Sequence, residues 1–299
     1  MEYVIETKSL TKRFPRKVAA HDVEMHVEKG DIYGMIGKNG AGKTTTMKMI
    51  LGMLEPTSGE IRLFGSSDLH KERARIGSLI EAPGLYRNCT AFENMKRFSI
   101  LYGGTDQEIR DLLNLVGLGK VGVRKVGAFS LGMKQRLGIA LSLLGNPELL
   151  ILDEPINGLD PAGIKEIRDI ILRLNKERGV TFMISSHLLD ELGKIATRFG
   201  IINDGELVEE VSAEDLKSRC RKGLVIKADP LSKAERVLKD AFPSIEFSAA
   251  NGEIVVTSMV DRAADINEAL VTGGVKVSSL VVANNDFEDY FIERLGKHL

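Results

Sequence analysis

The stretch Gly37-Lys38-Asn39-Gly40-Ala41-Gly42-Lys43-Thr44-Thr45 has the residue types that holding a polyphosphate requires. It reads G-x-x-x-x-G-K-T, a phosphate-binding loop. The glycines let backbone N–H groups turn inward around an anion. A helix opening at the end of the loop adds partial positive charge there. Lys43 is then set to reach the β- and γ-phosphates, and Thr44 to offer its hydroxyl to Mg²⁺. A second chemical group lies far along the chain, where Asp153 and Glu154 follow Leu149-Leu150-Ile151-Leu152. Two acids at the end of an aliphatic run are costly unless they meet a cation or do chemistry. With a phosphate loop present, Asp153 would complete the Mg²⁺ shell, mainly through water. Glu154 would orient and deprotonate an attacking water. The plainer reading of both is an acidic cap on a strand.

Three further positions are open on their residue types alone. His187 follows Val180-Thr181-Phe182-Met183-Ile184-Ser185 much as the acids follow their run, and is either structural or a hydrogen-bond partner for a γ-phosphate. Ser130 and Gly132 precede a helix stripe of Leu137, Ala140, Leu141 and Leu144, as a helix N-cap or as an anion site. Phe14 is more simply a core or edge aromatic than a stacking platform for adenine.

The elements that would position these groups can be read from periodicity. Ile32-Tyr33-Gly34-Met35-Ile36 suits a buried strand ahead of the phosphate loop, and Thr46 to Leu51 continue as a helix after it. Val23, Met25 and Val27 alternate with polar residues, so residues 2 to 36 read as strands. Leu149–Leu152 is a central parallel strand buried on both faces, and ligands gather at the carboxyl ends of such strands. Between about 82 and 146, Phe92, Met95, Phe98, Ile100 and Leu101, and then Ile109, Leu112, Leu113 and Val116, recur at helical spacing. Ile164, Ile167, Ile171 and Leu174 mark a later helix, and Asp204-Gly205 the turn of a hairpin. From about 218 the pattern is strand, helix, strand, strand, helix, strand, a small ferredoxin-like sandwich. Phe287, Tyr290, Phe291 and Leu295 make the stripe of a last helix.

Composition bounds the class. With 299 residues, 43% hydrophobic and 28% charged, the chain has core material for about two domains. A net charge of −1 gives no basic field for nucleic acid. Cys89 and Cys220 are the two cysteines, which suits a reducing compartment with each as apolar filler. No apolar run is long enough to span a bilayer, and the first residues do not read as a signal peptide, so a cytoplasmic protein is expected.

Taken together, these motifs resemble the nucleotide-binding subunits of ATP-binding cassette (ABC) transporters, over about residues 2 to 215. Gly37 to Thr44 match the Walker A motif, Leu149 to Asp153 the Walker B motif, Glu154 the catalytic glutamate, Asn157 to Asp160 the D-loop and His187 the switch histidine. Phe14 falls at the family's adenine-stacking position. Ser130 precedes Asp153 by 153 − 130 = 23 residues, in keeping with the family's spacing. The family signature Leu-Ser-Gly-Gly-Gln is here Phe129-Ser130-Leu131-Gly132-Met133, with Leu131 for a glycine and Met133 for a glutamine. Glu81 falls where the family usually has the Q-loop glutamine; as a carboxylate it can still ligate Mg²⁺, but it adds negative charge near the γ-phosphate. Ser130 to Ala140, with Ile80-Glu81-Ala82-Pro83, look like the ATPase subunits of bacitracin-type and lantibiotic exporters.

The resemblance implies an α/β P-loop cassette with a mixed sheet core, an N-terminal antiparallel β subdomain and a helical insert, over residues 1–215. Residues 218–299 would be an accessory domain. It implies hydrolysis of ATP with Mg²⁺, a head-to-tail homodimer in which Ser130, Leu131, Gly132 and Met133 of one subunit face the other's ATP, and a permease encoded by a separate chain. The place of action would be the inner face of the cell membrane, and the work export of, or resistance to, a peptide antibiotic. The rival classes are a soluble cassette ATPase acting on ribosomes or DNA, and a weakly hydrolysing nucleotide-dependent regulator.

Overall fold

The computed structural model describes residues 2–219, 222–250 and 252–284, with Tyr290, Phe291 and Arg294. Cys220, Phe287 and Leu295 lie outside the described residues. The chain forms two compact units, Met1–Ala213 and Glu214–Leu299.

The first unit opens with β1 (Tyr3–Phe14) and β2 (Lys17–Glu28), an antiparallel hairpin. Val23, Met25 and Val27 point inward and are fully buried, as their alternation predicts. Then come β3 (Ile32–Ile36), α1 (Lys43–Ile50) and β4 (Ser58–Leu63), the last pairing with β1 to give a sheet of order β2-β1-β4. After α2 (Leu69–Glu72) and β5 (Ile76–Leu79), the insert supplies α3 (Ala91–Ser99), α4 (Asp106–Leu115) and α5 (Leu131–Ser142). Both α3 and α4 start on capping boxes, Thr90 with Glu93 and Thr105 with Glu108. Each cap contributes about 1 kcal/mol. The rest of the unit is β6 (Leu149–Asp153), α6 (Pro161–Arg178), β7 (Thr181–Ser186), α7 (Leu189–Leu192), β8 (Arg198–Asn203) and β9 (Glu206–Ser212).

The six-stranded sheet has the order β5-β6-β7-β3-β8-β9, parallel except for β9. Every residue of β3, β6 and β7 is buried, which explains the apolar runs Ile32–Ile36, Leu149–Leu152 and Phe182–Ile184 within them. Burying each Leu or Ile side chain contributes roughly 1.5–3 kcal/mol. The register sets Asp153 beside Ser185 and Ile36 beside Ser186, so three strands end together at one edge. At the other end Tyr33 is fully buried and donates to Glu210 Oε1 at 2.8 Å. Burial, with Glu210 beside it, pushes this phenol well above its ordinary pKa, so it remains a donor. Gly200 makes room for it: a Cβ there would lie 2.0 Å from the Tyr33 hydroxyl.

One expectation for the insert is corrected. Ile100 and Leu101 do not extend the apolar face of α3, which ends at Ser99. They fall on a 3₁₀ turn, 74% and 79% exposed. The change of helix geometry rotates them off the buried face.

In the second unit, α8 (Ala213–Arg219) begins at the boundary, followed by β10 (Lys222–Asp229), α9 (Leu231–Ala241), β11 (Phe247–Ala250), β12 (Glu253–Val256), α10 (Ala263–Thr272) and β13 (Lys276–Asn284). The antiparallel sheet has the order β11-β12-β10-β13. Leu224, Ile226, Ile254 and Val256 pack on Ala234, Leu238, Ile266 and Leu270 of the two helices. This is the element order read from the sequence. Phe291 is also buried, edge-on to Tyr290.

Candidate functional site

The phosphate loop joins β3 to α1. Gly40 and Gly42 have φ of +84° and +111°, the left-handed region that favours glycine. Gly37 and Gly42 are also sterically required, since a Cβ would lie 2.3 Å from the Ile202 carbonyl and 2.5 Å from that of Ala19. Helix α1 has no side-chain N-cap and no acid in its first turn. Its first N–H groups are thus presented to an anion rather than to the protein's own carboxylates.

Lys43 lies along the loop, 6% exposed at its side chain. Its Nζ donates to the carbonyls of Gly37 at 2.6 Å and Lys38 at 3.3 Å. The same ammonium is 3.3 Å from Glu154 Oε1. Thr44 Oγ1 donates to Asp153 Oδ2 at 2.8 Å. The other oxygen of Asp153 accepts from Ser185 Oγ at 2.6 Å, and Ser185 Oγ accepts the Glu154 N–H at 2.8 Å. His187 Nδ1 donates to Glu154 Oε2 at 2.8 Å. The loop, both acids and the histidine therefore form one connected cluster. Glu154 has φ +48°, which a non-glycine residue adopts only where its surroundings impose it. The turn carries its carboxylate out of the sheet line and onto Lys43 and His187.

The chemistry of this cluster is specific. A buried ammonium and helix amides can take phosphate charge. A hydroxyl and a carboxylate, both hard oxygen donors, face each other at the loop. A carboxylate held on one oxygen by an imidazole and on the other by an ammonium can accept a proton from water.

The remaining expected residues are placed as follows. Phe14, 44% exposed, stands at the β1–β2 hairpin tip, which is tied to the loop by Lys17 Nζ donating to Gly40 O at 3.1 Å. Ser130 caps α5, accepting from Met133 N at 3.3 Å, and a Cβ at Gly132 would sit 3.7 Å from Leu159. Leu131 is 49% exposed and lies against Gly158, so this segment neighbours the Asn157–Asp160 turn. Asp160 caps α6 by accepting from Gly163 N at 3.0 Å, ahead of Pro161. Glu81 is not brought to Thr44 and Asp153. Its largely exposed carboxylate accepts instead from Lys48 Nζ at 2.6 Å. Lys48 is one turn beyond Thr44 on α1, and its ammonium holds the Glu81 carboxylate there.

Ser185 is the member of this cluster that motif reading misses. It is fully buried and serves both acids at once. Its trace in the sequence is a hydroxyl directly after the apolar run Phe182–Ile184. Ser185→Ala is expected to lower the ATP hydrolysis rate about 10- to 100-fold and to cost about 1–3 kcal/mol of stability, the cost of leaving buried polar groups unpaired. Steady-state phosphate release and urea unfolding measure the two effects. An unchanged rate would remove Ser185 from the positioning of Asp153 and Glu154.

Residues 20–157 match the family model described as ABC transporter. The chain is 41% identical to the bacitracin transport ATP-binding protein BcrA of Enterococcus faecalis, over 99% of this chain and 97% of that protein. It is 46% identical to the lantibiotic transport ATP-binding protein SrtF of Streptococcus pyogenes, over 69% of this chain and 90% of the relative. Among solved structures, the dimeric bacterial ABC transporter cassette MJ0796 aligns with a TM-score of 0.64 at 26% identity, covering 70% of this chain and 98% of that one. The chain belongs to the ATP-binding cassette family, as an ATP-binding subunit of the kind that hydrolyses ATP to drive transport.

Proposed function

We propose that this ATPase powers a separate membrane permease that exports, or protects the cell from, a peptide antibiotic of the bacitracin or lantibiotic kind. The observation that carries the catalytic part is the position of Glu154 between Lys43 and His187, one residue after the Asp153 that faces Thr44. The near full-length likeness to a bacitracin transport subunit supports the substrate class. Residues 1–215 hold the nucleotide work in this reading, and 218–299 are an accessory domain.

The loop amides and Lys43 bind the phosphate chain, and Lys43 exchanges its loop carbonyls and Glu154 for phosphate oxygens. Mg²⁺ fits Thr44 and Asp153, whose two hard oxygens face each other at 2.8 Å, because Mg²⁺ commonly takes one or two protein oxygens plus phosphates. When bound it supplies positive charge to the β- and γ-phosphate oxygens. Ser185 keeps Asp153 aimed at the loop. Glu154 Oε2 is oriented by His187, and the carboxylate takes the proton of the attacking water.

Two subunits pair head to tail in this proposal, with Ser130, Leu131, Gly132 and Met133 of each closing the other's ATP. The dimeric cassette that this fold resembles supports that arrangement. No described helix is long and apolar enough to cross a membrane. In this proposal the permease is a separate chain and this subunit works at the membrane's inner face. Its docking surface is a groove of about 490 Å³ lined by Met53, Phe98, Leu101 and Tyr102, with Lys48 and Glu81 at its side. Leu101, Met53 and Tyr102 are 79%, 60% and 56% exposed there. Apolar side chains so displayed mark a partner site.

The test is reconstitution with the cognate permease in lipid vesicles. Bacitracin or a lantibiotic is expected to raise ATP hydrolysis severalfold, and Leu101→Asp to uncouple that rise without lowering the basal rate. A complex stimulated by neither peptide would overturn the substrate class. A subunit that binds no permease would overturn the transport reading for this chain.

A further inference from the structure

The hairpin tip Lys12-Arg13-Phe14-Pro15-Arg16-Lys17 carries four cations and no acid around one exposed aromatic ring. Its strands are pinned separately. On the β1 side, Lys12 Nζ donates to Glu55 O at 2.6 Å, and the Arg13 N–H to Thr57 Oγ1 at 3.0 Å. The Lys12 ammonium then lies over the Phe14 ring, 5.4 Å from its centroid. On the β2 side, Lys17 is the ladder partner of Phe14 and reaches across to Gly40 O at 3.1 Å. Gly40 is inside the phosphate loop, at a φ of +84°. The loop therefore has ammonium groups on its backbone oxygens from two sides: Lys43 from within, buried, and Lys17 from the hairpin, exposed.

A nucleotide spans the same two elements. Its phosphates belong on the loop and its base on Phe14, so the distance between them sets how well base and phosphates bind together. We propose that Lys17 is a positioning residue for the nucleotide, a clasp that fixes the Phe14 ring relative to the phosphate loop. Lys12 occupies one face of that ring and leaves the other to the base. This rests on Phe14 as the base platform. The Lys17 ammonium is exposed and meets the loop from the hairpin that carries Phe14, so its contribution falls on the base half of the ligand rather than on the phosphates.

The experiment is calorimetric titration of the full chain with ADP and, separately, with inorganic pyrophosphate. Lys17→Met is expected to weaken ADP about tenfold, the size of one charge-assisted hydrogen bond, and to leave pyrophosphate within about twofold. Lys17→Arg, which keeps a donor at that reach, is expected to restore most of the ADP affinity. Retained pyrophosphate binding also shows that the loop is intact in the methionine variant. Equal losses for both ligands would make Lys17 a phosphate ligand and overturn the clasp, as would no loss for either. Phe14→Ala separates the premise: if it binds ADP as tightly as the parent, the platform assignment fails, whatever Lys17 does.

Discussion

Replacing Lys43 by alanine is expected to reduce ATP hydrolysis by about 10³-fold or more and to weaken ATP binding, with the fold intact. Removing one preorganised donor to a developing negative charge typically costs 10²–10³ in rate. Lys43 is more than a neutral donor, being a full charge in a buried position with two loop carbonyls aiming it. A second loss comes from Glu154. In the parent, its Oε1 is buried and has Lys43 as its ion-pair partner, with no hydrogen bond to that oxygen. Without the ammonium, this carboxylate faces the phosphates uncompensated, which weakens binding as well as chemistry. Glu154 keeps His187, and its side chain is 20% exposed, so the cost to stability stays small against the cost to catalysis. Phosphate release under saturating ATP and a direct nucleotide titration check both effects. Hydrolysis at the parent rate would dismiss Lys43 from the phosphate site, whatever the motif suggests.

Much of this site is legible in the sequence because its parts are local. A phosphate loop needs glycines, a lysine and a helix start within nine residues, and chain geometry then places them. The buried strands announce themselves by unbroken aliphatic runs, and the Asp204-Gly205 turn by its residue pair, whose φ values of +46° and +89° are those the pair favours. What escapes the sequence arises from pairing between distant segments. Ser185 matters because β6 and β7 align it with Asp153, a consequence of register that no local pattern encodes. Glu81 pairs with Lys48 because β5 ends beside α1, and spacing alone could not show which cation it meets. Ile100 and Leu101 fit a helical repeat on paper, but the repeat outlasts the helix by two residues. Their exposure is a surface fact that periodicity cannot see.

Glu154→Gln isolates the proton transfer from everything else the site does. Glutamine matches glutamate in shape. Its amide oxygen can face Lys43 and its NH₂ can donate to His187 Nδ1 in the other imidazole tautomer, so the contacts at 3.3 and 2.8 Å survive. At this position φ is +48° and the backbone N–H donates to Ser185 Oγ at 2.8 Å, a contact that the substitution leaves in place. What disappears is the ability to accept a proton from water. Losing a positioned general base costs about 10²–10⁴ in rate, roughly 3–5 kcal/mol on the barrier. Nucleotide binding is expected to persist, because Lys43, Thr44 and the loop amides are untouched. If two subunits enclose two ATP molecules, blocked hydrolysis traps them together. Light scattering then shows a dimer of the variant with ATP and a monomer without it. Leu131 and Met133 differ from the family signature at that contact, so the measurement belongs also in the presence of the permease. A variant that hydrolyses ATP at the parent rate removes Glu154 from proton transfer. A variant that is inactive yet monomeric with ATP, permease present, keeps the base and rules out the head-to-tail pair.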